Sequence, residues 1–495
     1  MKIEGRKEKE STTLLSHSWC SVLINRNFLK NINLLELTKE QVKFLLQSGE
    51  ISIAVFGLGS VGLAVASVWL RAGARVIGVD IDENKVKRIV RGDIPHPESV
   101  VIETLRSALR RGRFHASTDG GTAVEESHIA DVIVPVLYGE SGPDFKFLDE
   151  ALSTIGKRMR RGYAVIIESS LPPLTTEHRV RPMLEELSGL KADSDFALIY
   201  SPERVLVGRA VEDIETRYPK IVAGVGPRSL ALAEALYSNI AKAGVIKASS
   251  PRVAEFAKLA EGVYRDVNIA LANELARLSK SINIDFNEVI EIANTQPYAH
   301  IHKPGAGVGG HCIPVYPKFL SWLGRLHGVS LELVEHARLI NDSQPLYVIS
   351  LLLSELRKRL TKAKAKVAVL GLAYRGNVAI STNSPAYRIV TELLRLGFDV
   401  VVHDPLIAED PQLSSLGVRL TSDIIEAVKD SSAVVVATDH DIYKTLSPCK
   451  LSKISATSNL LIVDARDVID VSECCDTTYI GIGRGIKCSE NLWTS

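Results

Sequence analysis

The residues whose types and spacing most clearly suggest chemistry lie in PGAGVGGHCIPVYP, residues 304–317. Gly305, Gly307, Gly309 and Gly310 precede Cys312, so the backbone there bends freely and can turn its amides toward a bound group. A thiol of ordinary pKa near ~8.5 becomes a nucleophile when amide dipoles or a nearby cation favour the thiolate. Cys312 is therefore the candidate nucleophile. His311 beside it could serve as base or ligand, but a loop histidine is more often a structural hydrogen bonder and is given no catalytic part. The cation is expected from VAEFAKLAEGVYRDVNIALANELA, residues 253–276. Lys258, Gly262 and Arg265 are spaced i, i+4 and i+7 there, and share one face of a helix whose other faces carry Phe256, Leu259 and Ala260. A mid-helix glycine costs about 1 kcal/mol relative to alanine, so something needs the space that Gly262 leaves.

A second constellation is GLGSVG, with Gly57, Gly59, Ser60, Val61 and Gly62, followed by Asp80 at the end of the next β-rich run. Its glycines let the backbone approach a pyrophosphate at a helix N-terminus, and the acid accepts hydrogen bonds from the adenosine ribose hydroxyls. A carboxylate there repels a 2′-phosphate, which favours NAD over NADP. The stretch Ile51 to Leu70 has no charged residue and would pass a hydropathy window as a membrane helix. Its glycines, set between a β-branched run and a helical one, instead predict strand, turn and helix.

The elements that position these residues follow from length and rhythm. At about 100–200 residues per domain, 495 residues predict roughly three domains, and 46% hydrophobic with 24% charged residues suffices for a sizeable core. The charge balance of 59 − 58 = +1 gives no reason to expect nucleic acid or an acidic membrane as partner. Six cysteines are too sparse for a disulfide scaffold and lack zinc spacing, so no metal is expected. The charged opening MKIEGRKEKE does not read as a signal peptide, and a reducing cytoplasm is the expected location.

ISIAVFG, RVIGVDI, ADVIVPVL, YAVIIES, DFALIYS and KIVAGVG alternate with helix-like stretches, and KVAVLG, DVVVHDP, AVVVATD and LLIVDAR do so again after a helical middle. IAVFGLGSVG aligns with VAVLGLAYRG, and in both copies a glycine precedes an aspartate by seven, Gly73 to Asp80 and Gly397 to Asp404. The expected fold is α/β, with two Rossmann-like, doubly wound parallel-sheet domains joined by a central helical layer. The expected segments are an extension, 1–45; a NAD-binding domain, 46–245; a helical domain with the cysteine loop, 246–360; and a second Rossmann-like domain, 361–495. The second copy has Ala373 for the central glycine, followed by Tyr374 and Arg375, and is expected to bind something other than a dinucleotide.

Through GLGSVGLAVA, IIESSLPPLTTE, YSPERVLVGRAVED, AEFAKLAEGVYRDVNIALANE, PGAGVGGHCIPV, VLGLAYRGNV and VATDHDIYKTL, the chain resembles the UDP-glucose/GDP-mannose dehydrogenase superfamily. Within it, the chain looks most like the UDP-N-acetylhexosamine 6-dehydrogenases, the UDP-N-acetylmannosamine type above all. The resemblance implies oxidation of a sugar's primary alcohol to the uronate with two NAD, through a cysteine thiohemiacetal and thioester, for surface polysaccharide or glycan precursors. UDP-N-acetylglucosamine and UDP-glucose are the alternative substrates. A nucleotide-sugar-binding homologue impaired in thioester hydrolysis is the alternative activity.

The same resemblance implies Cys312 as nucleophile, Lys258 as oxyanion stabiliser and proton relay, and Glu203 of SPERV as the base for water. It implies UDP-sugar contacts at Arg204, Val205, Arg265, Gly309, Tyr374 and Arg375, cofactor contact at Ser170, and a homodimer built through the central helices. Several family positions differ. An asparagine one turn after the lysine is Gly262, an aspartate four residues after the cysteine is Tyr316, threonines near the nicotinamide are Val136 and Ser170, and an arginine is Thr382. The paired change predicts that the Tyr316 phenol fills the volume vacated at Gly262.

Overall fold

The computed structural model describes residues 32–356, 365–473 and 475–484, with the backbone of 486–487. The first 31 residues of the expected extension lie outside the described residues. The chain divides into two compact units, residues 1–258 and 259–495.

In the first unit the apolar runs become β1 (Ser52–Phe56), β2 (Arg75–Val79), β3 (Phe114–Ser117), β4 (Ile129–Val132), β5 (Leu137–Gly139), β6 (Gly142–Asp144), β7 (Ala164–Ile167), β8 (Ala197–Tyr200), β9 (Lys220–Gly224) and β10 (Val245–Lys247). β5 and β6 pair as a separate ribbon, and the other eight form one sheet in the order β10-β9-β8-β7-β4-β1-β2-β3. Pairing is parallel from β3 across to β8, whereas β9 runs antiparallel to β8. Alternate residues of one strand feed opposite cores: Ile53 and Val55 of β1 enter one cluster, Ala54 and Phe56 the other. A strand buried on both faces must be apolar throughout, which is why these runs lack the polar alternation of a half-exposed sheet. The tempting Ile51–Leu70 stretch is β1, a turn and the helix Ser60–Ala72. Among the described residues no helix is long and apolar enough to cross a membrane.

The helix Lys39–Gln47 starts at a Thr38–Gln41 capping box and buries Val42, Leu45 and Leu46 in the core that holds Ile53. It runs across the 45/46 division drawn from sequence.

The second unit repeats the theme with β11 (Lys366–Leu370), β12 (Asp399–His403), β13 (Arg419–Thr421), β14 (Ala433–Val436), β15 (Leu460–Asp464), β16 (Thr477–Gly481) and β17 (Ile486–Lys487). The order is β13-β12-β11-β14-β15-β16-β17, parallel except for β17. Sequence reading missed the short or polar strands β3, β10, β13 and β16, because FHAS, VIK, RLT and TTYIG carry too few consecutive apolar residues to register. Cys449 and Cys475 form a disulfide beside this sheet, one staple among the described residues.

Two long helices cross the middle of the chain, Pro251–Ser281 and Glu332–Leu356. The unit boundary falls within the first, after Lys258. Within the second unit a buried polar ladder ties them together. Asn341 Nδ2 donates to Asp266 Oδ1 at 2.8 Å, Asn273 Nδ2 donates to Asn341 Oδ1 at 2.9 Å, and Gln344 Nε2 donates to Asn273 Oδ1 at 3.0 Å. The rungs reach the cysteine loop, since Asn273 Oδ1 accepts Gly305 N at 2.9 Å and Gln344 Nε2 donates to Gly305 O at 2.9 Å.

Replacing Asn273 by Ala removes the partner of Gly305 N and of Asn341 Oδ1 and one of the two partners of Gln344 Nε2. The expected loss is about 1–3 kcal/mol for the groups left unpaired, read as a lower Tm in thermal unfolding. An unchanged Tm would show that the ladder does not support the loop.

Candidate active site

The GLGSVG loop is shaped by backbone that tolerates no side chain. Gly57 takes φ +98°, and a Cβ there would lie 2.4 Å from Ile133 O; one at Gly62 would lie 1.8 Å from Gly57 O. Gly59 differs, for a Cβ built on it meets nothing within 4 Å. It caps the helix Ser60–Ala72 and, as a glycine, supplies no side-chain oxygen to the first amides of that helix. Such an end attracts an anion through its unpaired N–H groups and the helix dipole. Asp80 follows β2, its Oδ2 accepting Leu58 N at 2.9 Å and Lys85 Nζ at 2.8 Å. Burial opposes its ionisation, but the Lys85 hydrogen bond and the Asp82 and Leu58 amides outweigh burial and hold its carboxyl below the usual range. Open glycine, uncapped helix and ionised acid fit a dinucleotide's pyrophosphate and ribose.

The repeat is reproduced bond for bond and then diverges. Gly371 also takes φ +98°, and Asp404 Oδ2 accepts Leu372 N at 2.9 Å, as Asp80 does Leu58 N. Asp404, however, also accepts Ala373 N at 2.9 Å and contacts His440 Nε2 at 3.2 Å, and it is fully buried. No helix starts on this loop; the next begins at Pro385. The second copy therefore lacks a helix N-terminus on its glycine turn, and its acid is more completely buried and paired than Asp80.

Further along the first unit, the loop after β8 carries Glu203, Arg204 and Val205. Glu203 is buried and meets the Lys220 ammonium through Oε1. The Arg204 guanidinium stands 5.1 Å from the Tyr218 ring centroid and donates to Pro219 O, while the Tyr218 hydroxyl donates to Arg204 O. Val205 packs on the core that holds Ile53. Ser170 follows Ser169, whose hydroxyl donates to Val134 O at 2.7 Å at the end of β7. Lys258 is half-buried on the long helix.

In the second unit the cysteine loop docks on the segment after β11. Gly310 N donates to Thr382 O at 2.8 Å and Asn383 Nδ2 donates back to Gly310 O at 3.0 Å. A Cβ on Gly309 would lie 2.8 Å from Tyr374 Cβ, and one on Gly310 would lie 2.9 Å from Tyr374 Cε2. The two glycines thus admit the Tyr374 ring, and the fold brings Gly309 and Tyr374 together, with Arg375 next in chain. Near by, Asp439 accepts Gly376 N and Arg466, both at 2.8 Å; against burial, the Arg466 charge and these bonds hold its carboxyl down at about 2.

Cys312 is exposed and unoxidised, and its carbonyl accepts Val315 N and Tyr316 N at 3.0 Å each. Tyr316 opens the helix Tyr316–Leu326 and is buried. Its ring lies on Gly262, where a Cβ would come within 2.3 Å of Cδ2 and 3.1 Å of Cε2. The phenol does fill the volume left on the lysine-bearing helix. Arg265, on the same helix, is exposed. Sequence reading missed Lys220 and Glu168, which meet at 3.1 Å, and the Asn273 ladder. Charged residues at the ends of otherwise apolar runs, IIES and KIVAGVG, were the available signal.

Models of three domains match in sequence. The NAD binding domain of the UDP-glucose/GDP-mannose dehydrogenase family matches residues 51–241, its central domain 252–343, and its UDP binding domain 368–471. The chain belongs to the UDP-glucose/GDP-mannose dehydrogenase family. It is 36% identical over 435 residues to a UDP-N-acetyl-D-mannosamine dehydrogenase of Pyrococcus horikoshii, covering 88% of this chain and 99% of that one. It is 31% identical to a UDP-N-acetyl-D-glucosamine 6-dehydrogenase of Pseudomonas aeruginosa, covering 85% and 98%. The solved structure of the Pyrococcus horikoshii UDP-D-ManNAc dehydrogenase superposes with a TM-score of 0.79 at 33% identity, covering 88% and 99%. The protein is an NAD-dependent UDP-sugar dehydrogenase.

The Tyr316 packing makes a mutational cycle informative. Gly262→Asn should overpack the ring and cost roughly 1–3 kcal/mol, and adding Tyr316→Asp should recover part of the lost Tm. Strictly additive losses would show that the two positions do not share one volume.

Proposed function

We propose that this dehydrogenase converts the primary alcohol of a UDP-N-acetylhexosamine, UDP-N-acetyl-D-mannosamine first among them, to the uronate in a four-electron oxidation. The observation that carries the reading is the exposed Cys312 thiol on a glycine loop docked against Tyr374 of the UDP-binding domain. Gly57, Gly59, Ser60, Val61, Gly62, Asp80 and Ser170 would hold NAD, which supplies the hydride acceptor for each oxidation. Arg204, Val205, Arg265, Gly309, Tyr374 and Arg375 are proposed to contact the UDP-sugar.

The alcohol first loses a hydride and a proton to give the aldehyde. The Cys312 sulfur then adds to the carbonyl carbon, and the Lys258 ammonium stabilises the oxygen that gains charge and relays its proton. A free aldehyde is a poor hydride donor, whereas the sulfur adduct keeps a hydride on a carbon that bears an oxyanion. Its loss leaves a thioester. Glu203 takes a proton from water as the water attacks, and the acid departs with the thiol restored.

The expected segments 46–245, 246–360 and 361–495 are proposed as the functional divisions, supported by one family match inside each. The cytoplasm is the proposed location and glycan precursor synthesis the proposed role. A homodimer is proposed through the long helix, on which Tyr264, Leu271 and Leu278 recur every seven residues and are exposed.

Turnover of UDP-N-acetyl-D-mannosamine should form two NADH per uronate, counted by absorbance and by quantifying the acid. Cys312→Ser should lower uronate output roughly 10³-fold or more, the scale of losing a nucleophile. One NADH per sugar, with aldehyde accumulating, would overturn the cysteine's role; an acyl adduct persisting on Cys312 by intact mass would show that hydrolysis is the impaired step.

Leu271→Glu with Leu278→Glu should halve the mass measured by light scattering. A mass unaffected by both charges would remove this helix from the interface.

A further inference from the structure

Behind Glu203, the first unit buries an unusual concentration of charge. Lys220 opens β9 with its side chain only 4% exposed, and its ammonium donates to Glu168 Oε1 at 3.1 Å as well as to Glu203 Oε1. The Tyr237 hydroxyl donates to the same Glu168 oxygen at 2.5 Å, and the ammonium lies 5.1 Å from the Tyr237 ring centroid. Asp131 of β4 is fully buried; its Oδ2 accepts Trp69 Nε1 at 2.8 Å. Asp131 Oδ1 and Glu168 Oε2 have no hydrogen-bond partner among the described residues. The titratable groups facing Glu203 are thus Lys220, Glu168 and Asp131, with Tyr237 and Tyr200 beyond Glu168.

Three carboxylates and one ammonium cannot all stay ionised away from water, because two negative charges would lack a counterion. Burial, then the Asp131 charge, raises the Glu168 carboxyl well above its usual range, and burial pushes Asp131 up to about 7. Burial also disfavours the Lys220 ammonium, but Glu168 and Glu203 outweigh that and keep it charged. Lys220 is thus the ammonium that Glu168 and Glu203 share, reaching each through its Oε1 atom.

We propose that Lys220 is a positioning residue for thioester hydrolysis: its ammonium pins Glu203 through Oε1, leaving Oε2 to accept the proton of the attacking water. This rests on the reading of Glu203 as the base. Tyr237 and Glu168 in turn hold the lysine on its strand. The arrangement gives a buried carboxylate a counterion, without which its burial would be costly.

The test follows the Cys312 acyl adduct by intact mass in quenched mixtures of enzyme, UDP-N-acetyl-D-mannosamine and NAD, from about pH 5.5 to 9. In Lys220→Met the acidic limb of adduct decay should move up by about 1–3 pH units, the reach of a lost opposite charge, while adduct formation keeps its rate. Lys220→Arg should restore the parental limb. If Lys220→Met does not fold, Lys220→Gln, which keeps a donor but not the charge, carries the same expectation. A limb that stays in place in the folded neutral variant overturns the positioning role. Undiminished adduct decay in Glu203→Gln instead overturns the reading of Glu203, so the two failures are distinguishable.

Discussion

A carboxylate at the C-terminal end of a buried strand, accepting the amides of the loop that follows or adjoins it, is the interaction on which the architecture depends. Asp80 does this for Leu58, Asp404 for Leu372 and Ala373, and Asp464 for Val468 and Ile469. The sheets are largely apolar on both faces, with a few buried charged residues such as Asp131 and Lys220 set among them. Their strand ends expose amides that must be paired, and an acid placed there pairs several at once and fixes the loop's path. What distinguishes the two Rossmann-like sheets is how much of that acid remains available. Asp80 pairs with the Lys85 ammonium and stays 9% exposed, whereas Asp404 is fully buried and consumed by two amides and a histidine.

The second constraint is the absence of side chains at chosen backbone positions. Gly309 and Gly310 admit Tyr374, and Gly262 admits Tyr316, each at distances where a Cβ would collide with the ring. These contacts couple the cysteine loop to the segment that carries Tyr374 and to the helix that carries Gly262, beside the Gly310 hydrogen bonds to Thr382 and Asn383. Tyr316 also follows Cys312 by one helical turn, so the ring that fills Gly262 orients the turn bearing the thiol. A change in ring size at one position therefore bears on the geometry of the other.

Much of this was legible in the residues. The β-rich runs, the two glycine fingerprints, the repeat with its matched aspartates and the i, i+4, i+7 stripe each depend on neighbours within a turn or a strand, and all reappear in the fold. The packing of Tyr316 on Gly262 was legible too, because a lost volume and a gained one were both visible. Short or polar strands escaped notice, since β10 and β13 have three residues each and β3 and β16 mix polar with apolar residues, leaving no readable period. The antiparallel junction of β8 and β9 likewise leaves no mark in KIVAGVG.

Sequence alone determined the class of fold, the family and the cofactor, because these follow from local periodicity and short motifs. Tertiary structure decided which charges share a counterion. Lys220 meets Glu203 across 17 residues and Glu168 across 52, and Tyr237 reaches Glu168 across 69. The order of strands in the sheet, rather than any spacing along the chain, sets those pairings. Burial then converts them into protonation states, because only the folded core removes the water that would otherwise solvate each charge separately.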